Sequence, residues 1–450
     1  MKTRRFSQKL SLVLLLGTLI TRSLFASAYT KPSYFNNSSN SNAFFDDDYD
    51  QNEKNIWIHT HNTEDLLAAL GFIFKLKKRF PYTECFVSSL TFEAKKVADQ
   101  FFNPYCTKVI PHDDLDTISY NFRKIRPKVI LPIGNTVLPS LVLLGLLYKT
   151  PIYLFGGKVA QQIERVLYTS NYLYNPVFNA LNGIYTDTEE DLEAFRNVGI
   201  IEPHIIPIGP LYLCNIFEKK RYYSDSINQQ EQLANTLKQN QILLVHTRKR
   251  TRIQDYLDLF KQLKSTNSAL KMVFVPGRAV SLKSEINKLI AQQDLSIALL
   301  ENETDFNIHP TQIEKTLSNI NGLLQYNDIV FSCAESSSFF WQAFATMSFV
   351  DDQDSLRQIH ESAIWKNAVI MYQTKNSEFR SEEITDKLFA LLATTFSVQE
   401  LVNQTQELLD NQDLRTSFGQ KLFNFVSEQT QKTDQILEPF FYHLQQKLTF

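Results

Sequence analysis

The chain has 450 residues, of which 43% are hydrophobic and 21% charged, and its formal net charge is −2. This composition is ordinary for a soluble globular protein, and the length is sufficient for two or three domains. A net charge near zero gives no general attraction to nucleic acid, so we expect no nucleic-acid partner and only local anion sites. The four cysteines contain no CxxC pair, which excludes a zinc ribbon and a disulfide scaffold. Cys85 and Cys106 fall on neighbouring predicted strands, where one disulfide is conceivable after export, although free buried thiols are favoured.

The N-terminus has the layout of a targeting segment. Basic residues within 2–9 precede an apolar run at 10–20, and Ala26-Ser27-Ala28 offers a small-x-small cleavage site. The apolar run is short for a membrane span, so residues 1–28 are interpreted either as a cleaved signal peptide or as an uncleaved anchor. Residues 29–54 are rich in Asn, Ser and Asp and are expected to form a flexible tether.

The first predicted strand, 56–58, runs into a polar loop and then into a helix that ends near residue 79. Glu64 and Asp65 lie in the first turn of that helix. Ligands of parallel α/β sheets bind beyond the carboxyl ends of strands, and a helix N-terminus favours ionised carboxylates. An acid held as an anion suits a general base. The alternative is structural: Asn62 caps the helix and Asp65 completes an imperfect capping box.

Strands and helices then alternate along the chain, which predicts two parallel, doubly wound α/β domains. The first would span 55–218 and the second 241–450, joined by a polar linker at 219–240. Two such halves resemble the two-domain GT-B glycosyltransferase arrangement. The segments predicted as strands are 56–58, 84–90, 106–111, 128–132, 151–155, 183–186 and 205–208 in the first domain, and 241–245, 271–275, 297–300, 328–332 and 368–372 in the second. After residue 372 the chain is predicted to be helical to its end.

Several motifs resemble the 3-deoxy-D-manno-octulosonic acid (Kdo) transferases of lipopolysaccharide synthesis. Trp57 and His59 match the family's opening strand, and the helix that follows is very similar. TDTEEDLEAFRNVGI, at 186–200, resembles the family's Q-S-E-E-D-A-x-R-F-x-x-L-G, and HESAIWKNAVIMY resembles L-E-P-A-A-x-G-K-P-V-L-F. The resemblance places Asp65 on the family's catalytic Glu and Glu361 on its nucleotide-site Glu.

Other family motifs are altered in this chain. The pattern E-T-E-x-W-P is replaced at 134–139 by a segment that begins with Gly134 and lacks both acids and the Trp. The pattern N-A-R-x-S-E is replaced at 156–161, where Lys158 is the remaining cation. The chain is therefore interpreted as a divergent enzyme or as a homologue that has lost the chemistry.

The resemblance implies that CMP-Kdo is the donor and a lipid A precursor the acceptor, with inversion at the anomeric carbon and no cofactor or metal. Asp65 would be the base, and Glu64 could partly replace it. The implied location is the cytoplasmic face of a bacterial inner membrane if the N-terminal segment is an uncleaved anchor. Cleavage near Ala28 would instead send the protein to the periplasm.

Basic residues after predicted strands are candidates for binding the anionic donor. They are Arg248, Lys249 and Arg250 in one loop, with Arg278 and Lys158 elsewhere, alongside Glu361. A second apolar–basic patch lies on the first helix and could bind the acceptor or an anionic membrane surface; it is represented by Phe72, Lys75, Lys78 and Arg79. The alternatives are a solvated basic loop and an ordinary helix with a cationic last turn.

Two other functions remain open from the residues alone. His59 and His61 at a strand end match the start of a metal-dependent hydrolase, although that chemistry needs further metal ligands at later strand ends. The altered family motifs and the signal-like N-terminus also fit an exported homologue that acts as a binding or scaffold protein without catalysis.

Overall fold

The computed structural model describes residues 55–110, 113–134, 137–159, 175–201, 203–214, 216–247, 250–276, 295–300, 313–332, 338–351, 356–373, 387–388 and 390–449. The predicted signal or anchor, the tether, and the candidate donor residues Arg248, Lys249 and Arg278 lie outside these ranges. Among the helices that are described, none is both long enough and apolar enough to cross a bilayer.

The chain divides into two compact units. The first contains the described residues before 216 together with those after 431, and the second contains 216–431. Each unit is built on one sheet of seven strands whose pairs are all parallel. The predicted fold class, two Rossmann-like α/β domains of GT-B type, is confirmed.

In the first unit the strand order is β3-β2-β1-β4-β5-β6-β7, so the direction of winding reverses between β1 and β4. β1 is buried along its whole length, as its continuous apolar run requires in the middle of a parallel sheet. The strands are β1 (Asn55–Thr60), β2 (Glu84–Ser89), β3 (Thr107–Val109), β4 (Pro127–Ile133), β5 (Tyr153–Gly157), β6 (Gly183–Thr186) and β7 (His204–Pro207). The helices are α1 (Thr63–Arg79), α2 (Phe92–Phe101), α3 (Leu115–Ile125), α4 (Pro139–Tyr148) and α5 (Glu189–Asn197).

In the second unit the order is β10-β11-β9-β8-β12-β13-β14, and the winding reverses between β8 and β12. The strands are β8 (Gln241–Thr247), β9 (Leu270–Pro276), β10 (Ile297–Leu300), β11 (Ile329–Ser332), β12 (Ala345–Val350), β13 (Ala368–Tyr372) and β14 (Ala393–Thr395). The helices are α6 (Ile216–Asn228), α7 (Glu231–Lys238), α8 (Arg250–Lys264), α9 (Ile313–Tyr326), α10 (Ser338–Gln342), α11 (Leu356–Ile364), α12 (Val398–Asp410) and α13 (Gln412–Thr449).

Two sequence predictions need correction. The predicted linker, 219–240, is helical and belongs to the second unit as most of α6 and all of α7, since Tyr223, Ile227 and Leu237 bury apolar faces there. Strands β12 and β14 were not predicted. β12 follows the aromatic-rich 339–344, and an apolar run of this kind does not distinguish a buried strand from a buried helix.

The end of α13 returns to the first unit because it carries an apolar stripe. Leu437, Phe440, Phe441, Leu444 and Leu448 are all buried there, in the same cluster as the inner face of α1. The ring of Phe440 lies 5.1 Å from that of Phe155 and 5.3 Å from that of Tyr153, measured between centroids. The last helical segment is therefore part of the first domain's core, although its sequence position predicted the second.

We expect Phe440→Ala to destabilise the first unit by about 3 to 5 kcal/mol, because it removes a buried ring from a close-packed cluster. Urea unfolding followed by circular dichroism measures the loss. Tyr442→Ala is the matched control, since Tyr442 lies on the same helix and is 66% exposed. Equal effects of the two substitutions would contradict the packing described for α13.

Candidate active site

Asp65 lies beyond the carboxyl end of β1, at the point where the winding of the first sheet reverses. The Oδ1 atom of Asn62 accepts a hydrogen bond from the backbone N–H of Asp65 at 2.9 Å. The backbone of Asn62 also favours the ionised form of the Asp65 carboxylate. The capping interpretation is therefore correct in its geometry, and the cap fixes the carboxylate at the place where α/β sheets bind ligands.

Gly134 gives the Asp65 carboxylate its space. It follows β4, has φ of +84°, and a Cβ atom built on it would lie 2.5 Å from both Cγ and Oδ2 of Asp65. No side chain fits there without moving Asp65, and the positive φ adds strain for any other residue. Asp65 therefore occupies the space that a side chain at position 134 would need.

Lys158 and Asp187 form an ion pair beside this carboxylate. Lys158 follows β5, Asp187 follows β6, and the Nζ atom lies 3.1 Å from Oδ2 of Asp187. Gly156, with φ of +63°, lies close by, where a Cβ would be 3.8 Å from Oδ1 of Asp187. Sequence reasoning missed Asp187; its position directly after the predicted strand 183–186 is the signal that could have found it.

Burial raises the pKa of Asp65 to about 6, with further contributions from the negative charges of Glu64 and Asp187. Desolvation outweighs the stabilising effects of the helix N-terminus and of the nearby cation, so Asp65 is ionised at neutral pH but becomes protonated below about pH 6. The pKa of Lys158 is raised, chiefly by Asp187, so Lys158 stays charged. A carboxyl group with a pKa close to neutrality, beside a fixed cation, has the properties of a general base.

The predicted lipid-binding patch on α1 is already occupied by the chain itself. Phe72 is fully buried and packs on Phe155, with ring centroids 4.4 Å apart. Lys75 pairs with Asp434 at 2.9 Å, and Arg79 pairs with Glu438 at 2.6 Å. The prediction is therefore wrong for Phe72, Lys75 and Arg79, because their apolar and charged groups bind the complementary face of α13.

Lys78 is exposed in the last turn of α1, so its role at a membrane stays a prediction.

The metal-site alternative loses its first ligand. His59 is completely buried, its Nδ1 atom lies 2.8 Å from Oγ of Ser88, and burial lowers its pKa to about 3. Across the described residues, no group of three or more His, Cys, Asp and Glu side chains could hold a metal ion. Cys85 and Cys106 are free, buried thiols, as the sequence favoured.

The second unit also gathers polar groups where its winding reverses. His246 near the end of β8 and Gln342 share a hydrogen bond of 2.8 Å, and Tyr256 donates one of 2.7 Å to Asp351, which directly follows β12. Arg250 begins α8, but its side chain is not among those described. The donor-binding role of the basic loop at 248–250 and of Arg278 stays a prediction.

Glu361 is buried between two cations. Nε of Arg357 donates a hydrogen bond of 3.0 Å to it, and Nζ of Lys219 lies 3.6 Å away. Burial alone would raise the pKa of Glu361, but Arg357 and Lys219 outweigh that effect and hold it below its usual range. Burial also lowers the pKa of Lys219 to about 8. As placed, Glu361 is an anchor for cations and is not itself presented to solvent.

Comparisons with known proteins agree with this architecture. Residues 37–212 match the family model of 3-deoxy-D-manno-octulosonic-acid transferase (kdotransferase). The chain is 21% identical over 392 residues to 3-deoxy-D-manno-octulosonic acid transferase of Rickettsia bellii, which covers 85% of this chain and 86% of the relative. Two similar structures are a Listeria monocytogenes protein assigned as a UDP-N-acetylglucosamine 2-epimerase and the UDP-GlcNAc 2-epimerase of Neisseria meningitidis. The first has TM-score 0.53 and 11% identity over 88% of this chain and 98% of its own. The second has TM-score 0.51 and 10% identity over 84% and 99%.

The two parallel sheets and these structural neighbours define a two-domain α/β protein of GT-B type. The family match over residues 37–212 and the Rickettsia relative confirm the resemblance that the motifs indicated: the chain is similar to the Kdo transferases.

We expect Asp65→Asn to stabilise the protein at neutral pH by on the order of 1 to 3 kcal/mol. A buried acid with a raised pKa binds more protons in the native than in the unfolded state between about pH 4 and 6. The free energy of unfolding therefore falls as the pH rises from about 4 to 6, where the native protein loses the proton that Asp65 binds more tightly than in the unfolded state. Urea unfolding across this range measures the effect, and a variant without any gain at neutral pH would contradict the raised pKa.

We expect Glu361→Gln to cost about 3 to 5 kcal/mol of stability, because it leaves Lys219 as an uncompensated buried charge. Adding Lys219→Met should recover part of the loss, which a double-mutant cycle in urea measures. Glu231→Gln is the matched control, since Glu231 is exposed in the first turn of α7. Additive effects of the two substitutions would rule out the buried pair.

Proposed function

We propose that the chain is an inverting glycosyltransferase that moves Kdo from CMP-Kdo to a hydroxyl of a lipid A precursor, with Asp65 as the general base. The match of residues 37–212 to the Kdo transferase family model and the Rickettsia relative support glycosyl transfer in lipopolysaccharide synthesis. The donor and acceptor are proposed from this similarity, and the role of Asp65 is proposed from the site.

The observation that carries the proposal is the position and charge state of Asp65. Its backbone N–H donates a hydrogen bond to Asn62, and its carboxyl group lies against Gly134 and has a pKa of about 6. A base with this pKa is ionised at neutral pH and can still hold the proton it removes. The family's Glu is longer than Asp65 by one methylene, and no side chain at position 134 competes with Asp65 for its space.

In the proposed reaction, Asp65 takes the proton of the acceptor hydroxyl as its oxygen attacks the anomeric carbon of Kdo. The bond from that carbon to the phosphate oxygen breaks on the opposite face, and CMP leaves with the bonding electrons. Lys158, oriented by Asp187 at 3.1 Å, supplies a positive charge next to the base and can bind a carboxylate or phosphate of a substrate.

Arg357 is the cation that we assign to the donor in the second unit. Glu361 fixes its guanidinium through a 3.0 Å hydrogen bond, and its side chain is 19% exposed, so part of it can reach a ligand. In this proposal Glu361 positions Arg357 and Lys219, and these cations bind the nucleotide. The basic loop at 248–250 remains a further candidate for the phosphate.

The test is a mass-spectrometric transfer assay with the full-length chain, CMP-Kdo generated in the reaction and a lipid A precursor. We expect the acceptor to gain the mass of Kdo, and Asp65→Asn to lower kcat/KM by about 10² to 10⁴ because the base is lost. The wild-type kcat/KM should fall about tenfold for each pH unit below about 6, as Asp65 becomes protonated.

Asp116→Asn is the matched control, because Asp116 is an exposed acid in the first turn of α3 and should be dispensable. Asp65→Glu restores the family residue and should retain activity. Equal transfer by wild type and Asp65→Asn would move the base to another group, with Glu64 tested next. No transfer by wild type, in a reaction where an active Kdo transferase works, would reject the proposed function.

A further inference from the structure

A cleft of about 600 Å³ lies in the first unit, at the amino ends of the sheet's strands. Tyr153, Gly183 and His204, which line it, are the first residues of β5, β6 and β7. Asp65 follows the carboxyl end of β1, whereas the cleft lies at the amino ends of the strands, so the two are at opposite ends of the same parallel sheet. The remaining wall comes from the end of α4 and the last turns of α13, and the proposed reaction does not use it.

The cleft is basic. Lys149, His204, His443 and Lys447 line it, and no acidic side chain is among its described lining residues. The four basic residues come from three different parts of the unit: α4 and the turn after it, strand β7, and helix α13. A cavity with this charge fits an anionic group such as a phosphate, which accepts hydrogen bonds from ammonium and imidazole groups.

The inner part of the cleft is aromatic. Phe440 meets Tyr153 and Tyr185 edge to face, with centroids 5.3 and 5.6 Å apart, and the His443 ring lies 6.2 Å from that of Tyr153. Burial raises the pKa of Tyr185, so its phenol remains neutral. These surfaces suit hydrocarbon next to the anion.

Large apolar side chains are exposed close in sequence to residues that line the cleft. Leu147 and Tyr148 are each 56% exposed, Ile201 is 77% exposed and Tyr442 is 66% exposed. Each is within three residues of a side chain that lines the cleft. A water-soluble anion gains nothing from an apolar rim, whereas a lipid surface contacts the cationic cleft and the apolar rim together.

We infer that this cleft binds the headgroup of an anionic phospholipid, with the phosphate near Lys149 and Lys447 and the adjoining hydrocarbon against the aromatic wall. The exposed apolar side chains would enter the interfacial layer of the membrane. This inference does not rest on the transferase proposal, because it concerns the opposite end of the sheet and is tested by binding alone.

The first experiment uses hydrogen–deuterium exchange of the full-length chain with dihexanoyl phosphatidylglycerol below its critical micelle concentration. We expect slower exchange in 145–153 and 439–449, the two segments that form most of the cleft. Dihexanoyl phosphatidylcholine, inorganic phosphate and CMP are the comparison ligands. Protection by phosphate or CMP equal to that by the anionic lipid would overturn the lipid assignment, and no local protection by the lipid would overturn the site.

The second experiment measures sedimentation with phosphatidylcholine vesicles that contain or lack phosphatidylglycerol. Lys149→Glu with Lys447→Glu should lower the gain in binding due to the anionic lipid by at least about tenfold, since each basic residue near such a surface contributes about fivefold. Lys96→Glu with Arg123→Glu is the control for charge, because both residues are exposed in the same unit and do not line the cleft. Equal losses for the two pairs would mean general electrostatics and would overturn a specific site.

Discussion

The packing of Phe440 and Phe441 against Phe72 and the first sheet determines how several other segments are used. It brings the last turns of α13 into the first domain. It also places Asp434 and Glu438 against Lys75 and Arg79 of α1, which pairs the charges of these two basic residues within the chain itself. The same helix forms one wall of the basic cleft at the amino ends of β5, β6 and β7.

Beyond the carboxyl end of β1, the fold places Asp65 in a half-buried position. The helix cap and Lys158 favour the ionised form of Asp65, while burial and neighbouring acids oppose it, and the opposing effects prevail. The raised pKa costs stability at neutral pH and suits the proposed role of Asp65 as a general base, a conflict that is common at functional sites. Gly134 makes the arrangement possible, because a side chain at that position would displace the carboxylate.

The second unit keeps a buried carboxylate, Glu361, ionised by pairing it with cations. Glu361 is almost fully buried, and it stays ionised because Arg357 and Lys219 surround it. Pairs of this kind seldom add net stability, but removal of one partner is costly because the other charge remains buried. The proposed contribution of Glu361 to donor binding is therefore to position two cations, which differs from the direct contact that the motif resemblance implied.

The sequence alone determined the alternation of strands and helices, the Rossmann-like fold of both halves, and the place of Asp65 in the first turn after a buried strand. These depend on local periodicity and on the general rule for strand ends. It did not reveal β12, the helices at 219–240 or the Lys158–Asp187 pair, since each depends on which distant segment packs alongside. The apolar–basic face of α1 illustrates the reason: its pattern fits a lipid surface and the acidic, aromatic face of α13 equally well, and only the tertiary structure decides between them.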